Sequence, residues 1–250
     1  MTAMLGMYDL PPLRDANDRF WALIRAAFGE GPDRLDRDRD FWEIWQDPDL
    51  VLAQTCGMPY RTRLHGTVQL VGTPDYGLPG CPPGHYCSVF VARADDDRDL
   101  AGLTGGTFAY NEALSQSGWA APVNHLLALG LRPETLLQTG AHALSAEAVA
   151  NGAADLAALD ALTWELLREH TGLGGQLREV ARTAPTPTLP YITALRSDSA
   201  AIAAAVRVAI ANLSPDDRAA LHLRGLVDIP AATYLSVANP PAPDAFSPRD

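Results

Sequence analysis

The chain is expected to be an α/β protein with largely parallel sheets, laid out in two blocks. Three observations predict this. Short apolar runs bounded by Gly, Pro and Asp alternate with helical stretches. The alternation runs once up to about Arg93 and again from about Leu103 to Thr183. The residues after Thr193 are mainly helical and too few for a domain of their own, so they return to complete the first block.

Leu5-Gly6-Met7-Tyr8 reads as the first strand, broken by Asp9 to Pro12. Ala16 to Phe28 sets Phe20, Trp21, Leu23, Ile24, Ala27 and Phe28 at helical spacing. Asp33 to Asp40 is a solvated mixed-charge run, and Phe41 to Trp45 a short apolar helix or turn. Asp49 to Thr55 is the second strand and ends in the Gly/Pro-rich turn Cys56 to Tyr60. Thr67 to Thr73 is the third and Ser88 to Arg93 the fourth, with the Pro/Gly loop Pro74 to Pro83 between them. Asp95 to Asp99 is an exposed acidic loop without the spacing of a calcium site.

The stretch from Thr104 to Leu129 is the centre of the chain. Thr107-Phe108-Ala109-Tyr110 reads as a strand, Asn111 to Gly118 as a polar loop, and Trp119 to Leu129 as a helix. Pro122 is expected in the first helical turn, where a missing N–H costs little. Strand, polar loop and helix start together form an anion trap, because free N–H groups and the helix dipole point at the loop. Ser115, Ser117 and Gly118 then cradle an anionic group; the plainer reading is that Ser117 only caps the helix.

Beyond it, Ser145 is expected to cap a helix from Ala146 to Asn151 that stops at Gly152. Ala154 to Leu159 is a short strand, Ala161 to His170 a helix, and Val180 to Thr183 a strand. Pro185, Pro187 and Pro190 mark an extended connection between lobes. Ser199 to Leu213 is an Ala-rich helix, and Ser214-Pro215 starts another. The tail from Pro240 is expected to fray.

Composition narrows the chemistry. The chain has 250 residues, is 47% hydrophobic and carries a net charge of −11. Nucleic acid and anionic membranes are poor partners for such a surface. A small anion is not excluded, since N–H groups and hydroxyls set the potential of a pocket locally. All 19 basic residues are Arg. Without Lys there is no Schiff base, no pyridoxal-phosphate lysine and no P-loop lysine. Cys56, Cys81 and Cys87 form no C-x-x-C pair, so no zinc or other metal site is expected. Cys56 with Cys81, or Cys81 with Cys87, could close a disulfide in an exported protein; in a cytoplasmic one all three are small buried residues. No apolar run reaches the roughly 18 residues of a membrane span. The first residues, MTAMLGMYDLPP, show neither a basic n-region nor an apolar h-region. The expected location is periplasmic or extracytoplasmic if a signal has been lost, and otherwise cytoplasmic.

Gln54-Thr55-Cys56-Gly57, Tyr86 to Val91, Ser115-Gln116-Ser117-Gly118 and Ala148 to Asp160 occur in an order that resembles the phosphate/phosphite/phosphonate ABC-transporter substrate-binding proteins. The resemblance runs from about Leu5 to Leu235 and implies a two-lobed type II periplasmic-binding-protein fold with its ligand cleft between the lobes. Lobe 1 is expected at residues 1–95 with 192–250, and lobe 2 at 100–188, with crossings near 92–102 and 184–193. The resemblance assigns Ser115, Ser117 and Gly118 to the phosphoryl oxygens, His142 to the loop before the next helix, and Asp160 to the acidic position. Tyr8 or Tyr60 would wall the ligand, and Thr55 lies at the same strand end. Each has a plainer reading: core packing for the tyrosines, a solvated loop for His142, a helix cap for Asp160. Asp160 could do both, provided the ligand brings a proton or a cationic part. Gln116 departs from the family's Ser-Thr-Ser-Gly pattern by losing the middle hydroxyl.

The function expected is capture of a small anion, phosphonate- or phosphate-like, by a monomeric binding protein that can serve an ABC permease. No cofactor and no catalytic constellation are expected; Ser117, His142 and Asp160 form a triad on paper but lack the nucleophile-elbow motif. The alternatives are a cytoplasmic ligand-sensing module and a binder of a thiamine-precursor-like heterocycle.

Overall fold

The computed structural model describes residues 1–246. The chain divides into two compact lobes. Residues 1–85 and 187–236 make up lobe 1, and 86–186 with the segment from Val237 onward make up lobe 2.

In chain order the strands of the two five-stranded sheets are β1 (Thr2–Met4), β2 (Leu50–Gln54), β3 (Val68–Asp75), β4 (Ser88–Arg93), β5 (Thr107–Tyr110), β6 (Thr135–Gln138), β7 (Leu156–Asp160), β8 (Leu177–Arg182), β9 (Tyr191–Ala194) and β10 (Gly225–Val227). The α-helices used below are α1 (Arg14–Phe28), α2 (Phe41–Trp45), α3 (Leu100–Thr104), α4 (Ala121–Ala128), α5 (His142–Ala150), α6 (Ala161–His170), α7 (Ser199–Asn212), α8 (Pro215–Ala220) and α9 (Ala231–Leu235).

Lobe 1 is a five-stranded sheet in the order β1-β2-β9-β3-β10. β1 and β2 are parallel, while β9 runs antiparallel between β2 and β3. β2 is an unbroken buried run, as expected of a strand covered on both faces. α1 buries Phe20, Trp21 and Ile24, packs against α7, and stops at Gly29, whose φ of +92° suits glycine. Met4, Trp45, Leu50, Tyr60, Ile192 and Tyr234 lie at the centre of one core cluster.

Lobe 2 is a five-stranded sheet in the order β6-β5-β7-β4-β8. β5 is parallel to β6 and β7, and β4 is antiparallel to β7 and β8. Phe90, Phe108, Trp119, Val123, Leu126 and Leu156 fill its core. Both sheets are therefore mixed rather than largely parallel. In each, a strand of opposite direction lies between two others: β9 between β2 and β3 in lobe 1, and β4 between β7 and β8 in lobe 2.

Three local expectations are corrected. The first strand is Thr2–Met4, and Gly6–Tyr8 is a single 3-10 turn. Thr2, Ala3 and Met4 pair with β2 and are all buried, which ties the strand to the terminus itself. Ser145 is no cap; α5 begins at His142, and the Ser145 hydroxyl shares a 2.7 Å hydrogen bond with Thr139 Oγ1. Pro122 is the second residue of α4 and lies in its first turn, as expected. A wide π turn, Gln116–Ala120, precedes it, with Ala120 N donating to Ser115 O across five residues. That wider turn carries the backbone past the point where proline would meet an α-helical carbonyl.

The third correction concerns the tail, expected in lobe 1 and expected to fray. From Val237 it belongs to lobe 2. Trp119 Nε1 donates to Pro241 O at 3.1 Å, Asn124 Nδ2 to Ala238 O at 2.9 Å, and Arg132 to Ala245 O. Phe246 is buried edge-on against Trp119, with the Arg132 guanidinium over its other side. Residues 247–250, the last of that tail, lie outside the described residues. None of the three cysteines forms a disulfide. Among the described residues no helix is long and apolar enough to cross a membrane.

Candidate functional site

The order and directions of the lobe 2 strands bring one set of chain ends together. β5, β6 and β7 all end at one edge of the sheet, and β4 begins there, since Ser88 is in register with Asp160. β8 ends at the same edge, with Val89 opposite Arg182. In sheets of this type ligands gather where strands end and helices begin. Three helical segments start at this edge: the π turn that leads into α4, then α5, then α6. Each directs first-turn N–H groups and the positive end of its dipole to the same region.

The π turn is the closest to a built anion seat. Ser115 is its cap and accepts from Gly118 N at 3.0 Å. The Ser115 carbonyl takes the N–H groups of Trp119 and Ala120. The N–H of Ser117 lies ahead of that pattern and is not taken up by the helix. The cap is thus Ser115, and Ser117 is released from that role. Its hydroxyl lies 2.9 Å from His142 Nε2 at the start of α5. Ser115, Gln116, Ser117 and Gly118 are all buried.

His142 is partly exposed as a residue, but its Nδ1 is buried and makes no hydrogen bond. Burial pushes its pKa down to about 4, against a smaller upward pull from the Ala158 carbonyl. The ring is therefore neutral near pH 7 and offers Ser117 a hydrogen bond rather than a charge.

Asp160 caps α6. Its Oδ1 accepts from Leu162 N at 2.8 Å and Thr163 N at 3.1 Å, and the residue is 2% exposed. The cap role expected of it is present. Trp164 on the same helix is core: it is buried, and its Nε1 donates to Glu179 at 2.8 Å.

Two further polar groups at this edge were not singled out from the sequence. Ser88 is 1% exposed and its hydroxyl has no hydrogen-bond partner, while its N–H donates to Thr183 Oγ1 at 2.9 Å. Asn111 follows β5 directly, and its buried Oδ1 is likewise without a partner. A serine opening the apolar run SVFVAR, and an asparagine just past a strand end, are the signals that could have pointed to them. Buried polar groups without partners are few in folded proteins, and strain, water, an ion or a ligand can account for them.

On lobe 1, Tyr8, Thr55 and Tyr76 follow the ends of β1, β2 and β3. Thr55 is fully buried and its Oγ1 has no partner, while its N–H donates to Pro190 O at 3.1 Å. Tyr8 stands edge-on to Tyr76 with ring centres 5.3 Å apart, and Tyr76 OH accepts from Gln54 Nε2 at 2.9 Å. Tyr60 is different. It is 2% exposed, lies in the lobe 1 core cluster and stacks edge-on against Tyr234 at 5.4 Å. Its aromatic ring packs in that core, the plainer of the two roles expected of it. Among the described residues no group of His, Cys, Asp and Glu could hold a metal ion.

The two lobes, each a mixed sheet with helices on its faces, define the class: a two-lobed periplasmic-binding-protein fold of type II. Solved structures share it. PhnD1 from Prochlorococcus marinus, in complex with methylphosphonate, is 14% identical over 93% of each chain, with a TM-score of 0.75. A binding-protein component of an ABC phosphonate transporter from Pseudomonas aeruginosa is 17% identical over 90% of this chain and 80% of its own, with a TM-score of 0.68. XAC2383 from Xanthomonas citri, bound to chloride ion, is 18% identical over 93% of this chain and 92% of its own, with a TM-score of 0.65. No curated protein matches the sequence.

The model of the family described as "ABC transporter, phosphonate, periplasmic substrate-binding protein" matches residues 49–234. The chain belongs to that family, which is one of solute-binding proteins.

Proposed function

We propose that this chain is the substrate-binding component of an ABC importer for a small tetrahedral anion, a phosphonate or phosphate. The anion is seated on lobe 2 by Ser115, Ser117 and Gly118, with His142 behind Ser117. The observation that carries this is the Ser115–Gly118 turn, where a buried serine pair sits on a helix start and Ser117 is held by a neutral histidine. Anion capture by neutral donors suits a chain of net charge −11, because it needs no local cation. Asp160, at the same edge, favours a ligand that carries a proton or a cationic substituent. On lobe 1 the same reading gives Thr55 and Tyr8 to the ligand. The protein works as a monomer in the periplasm and hands its ligand to a membrane permease.

Catalysis is not part of the proposal. Ser117 and His142 are hydrogen-bonded as a nucleophile and base would be, but His142 Nδ1 has no carboxylate partner to orient it. A histidine with a pKa of about 4 is also a weak base near pH 7. A sensing module is the second reading. It is favoured by a histidine kinase sensor domain that shares the fold with a TM-score of 0.57 at 18% identity.

The test is a thermal-shift panel of phosphate, phosphite, methylphosphonate, aminoethylphosphonate, methanesulfonate and thiamine precursors. A ligand at about 100 times its Kd adds roughly 2.7 kcal/mol of stability. A shift of several degrees with a phosphorus oxyanion, lost in Ser117→Ala, is the expected outcome. A shift confined to the heterocycles would refute the anion reading, and no shift with any of them would favour the sensor.

A further inference from the structure

The serine pair of the lobe 2 seat leaves a gap in its donor set. Gln116, between the two serines, is buried, and its Nε2 points to Thr186 Oγ1 at 3.5 Å. No hydroxyl is supplied from the middle position of the turn. A tetrahedral oxyanion presents three or more oxygens, each able to take more than one donor, so the turn leaves room for a further one.

Asn111 stands against the same turn. Its carbonyl accepts from Gly140 N at 2.9 Å, which fixes the residue between the ends of β5 and β6. Its side chain lies over Gly118. A methyl group placed on Gly118 would collide with Asn111 Oδ1, come within 2.9 Å of its Cγ and 3.2 Å of Ser115 Oγ. The Asn111 amide, the Gly118 backbone and the Ser115 hydroxyl therefore converge on one point, and glycine is required at 118 for the amide to reach it. Yet Oδ1 is buried there with no partner. An asparagine amide can turn about its last bond and exchange its acceptor oxygen for its two N–H donors. Rotation would replace an orphaned oxygen with an N–H directed to the same place.

We propose that Asn111 is a ligand-binding residue, whose amide donates to one oxygen of the bound tetrahedral anion and stands in for the hydroxyl absent at Gln116. This rests on the proposed function and names a specificity determinant within that site. A hydroxyl can donate to or accept from a ligand, whereas an amide N–H only donates. In that donating orientation Asn111 favours a ligand oxygen that carries no proton.

The test is isothermal titration of the full chain with methylphosphonate and with inorganic phosphate at pH 7.5. Wild type is compared with Ser117→Ala, Asn111→Ala and Asn111→Asp. Asn111→Asp keeps the shape but offers only acceptors to the anion, and a hydrogen bond to a charged group is worth enough that affinity should fall about 10- to 100-fold. The loss should shrink relative to wild type as the new carboxyl is protonated at lower pH, a response that a merely structural role would not give. Asn111→Ala should weaken binding about tenfold and serves as the readout if the aspartate variant does not fold. If Ser117→Ala weakens binding but both Asn111 variants bind within twofold of wild type, the assignment of Asn111 is overturned and the seat itself stands. If wild type binds neither anion, the proposed function falls, and Asn111 with it.

Discussion

Gly118→Ala probes the tightest point of the lobe 2 seat. The added Cβ would meet Asn111 Oδ1 and lie 2.9 Å from Asn111 Cγ. Carbon–carbon contacts are optimal at about 3.5–4.0 Å, so Cγ must retreat by at least about 0.6 Å. Overpacking of this kind costs roughly 1–3 kcal/mol. Alanine in place of glycine within a helix returns up to about 1 kcal/mol. The single variant is therefore expected to be destabilised by about 1 kcal/mol, a small net of two opposed effects. A double-mutant cycle separates them. In an Asn111→Ala background the collision is gone, so Gly118→Ala should be neutral or stabilising, and the coupling between the positions should be about 1–3 kcal/mol. Thermal and urea unfolding without ligand measure all four proteins. Additivity within about 0.5 kcal/mol would refute the close approach of the Asn111 amide to Gly118.

Three more outcomes follow from other parts of the fold. Phe246→Ala removes a buried ring from Trp119 and Arg132, and should destabilise lobe 2 by about 3 kcal/mol in denaturant unfolding; a change within experimental error would mean that the tail is not bound in solution. His142 has a folded pKa of about 4, below its unfolded value of about 6.5, so the unfolded state takes up the proton first on acidification. Stability should then fall by at most about 1.4 kcal/mol per pH unit between about pH 6.5 and 4, and His142→Gln should flatten that slope; an unchanged slope in the variant would remove His142 from the buried neutral state assigned to it. Ser88→Ala deletes a buried hydroxyl without a partner, so the ligand-free protein should keep or gain stability, by up to about 1 kcal/mol; a loss larger than that would show that the hydroxyl already has a protein partner.

Much of the fold was legible because its strongest local signals are unambiguous. β4 and β5 lie where the runs SVFVAR and TFAY place them, and α6 runs from Ala161 to His170 because Asp160 caps it directly. The misreadings have physical causes. Ser145 resembles an N-cap in sequence, but its hydroxyl is spent on Thr139, and α5 starts three residues earlier without a side-chain cap. The π turn that accommodates Pro122 has no simple sequence signature, since its extra residue is absorbed in hydrogen-bond register. The mixed direction of the sheets is invisible in apolar periodicity, which is the same for parallel and antiparallel strands. The tail reads as proline-rich and exposed; only the buried faces of Trp119 and Phe246 reveal its attachment.

The candidate site was legible as residue types and order, and illegible as geometry. Ser117 and His142 are 25 positions apart, so their hydrogen bond depends on β5 and β6 ending side by side. Tyr60 follows a strand end, which suits a ligand wall or the core alike; the turn after β2 packs it against Tyr234. Asn111 carries little signal in the sequence, because polar loop residues are common and its contact with Gly118, seven residues on, appears only in the fold.

The most direct measurement is an amide NMR titration of the isotopically labelled chain with methylphosphonate. Saturable binding whose largest shifts fall on the backbone N–H groups of Ser117 and Gly118 is the expected result. Saturable binding that leaves both amides unmoved would place the anion elsewhere and contradict the lobe 2 seat.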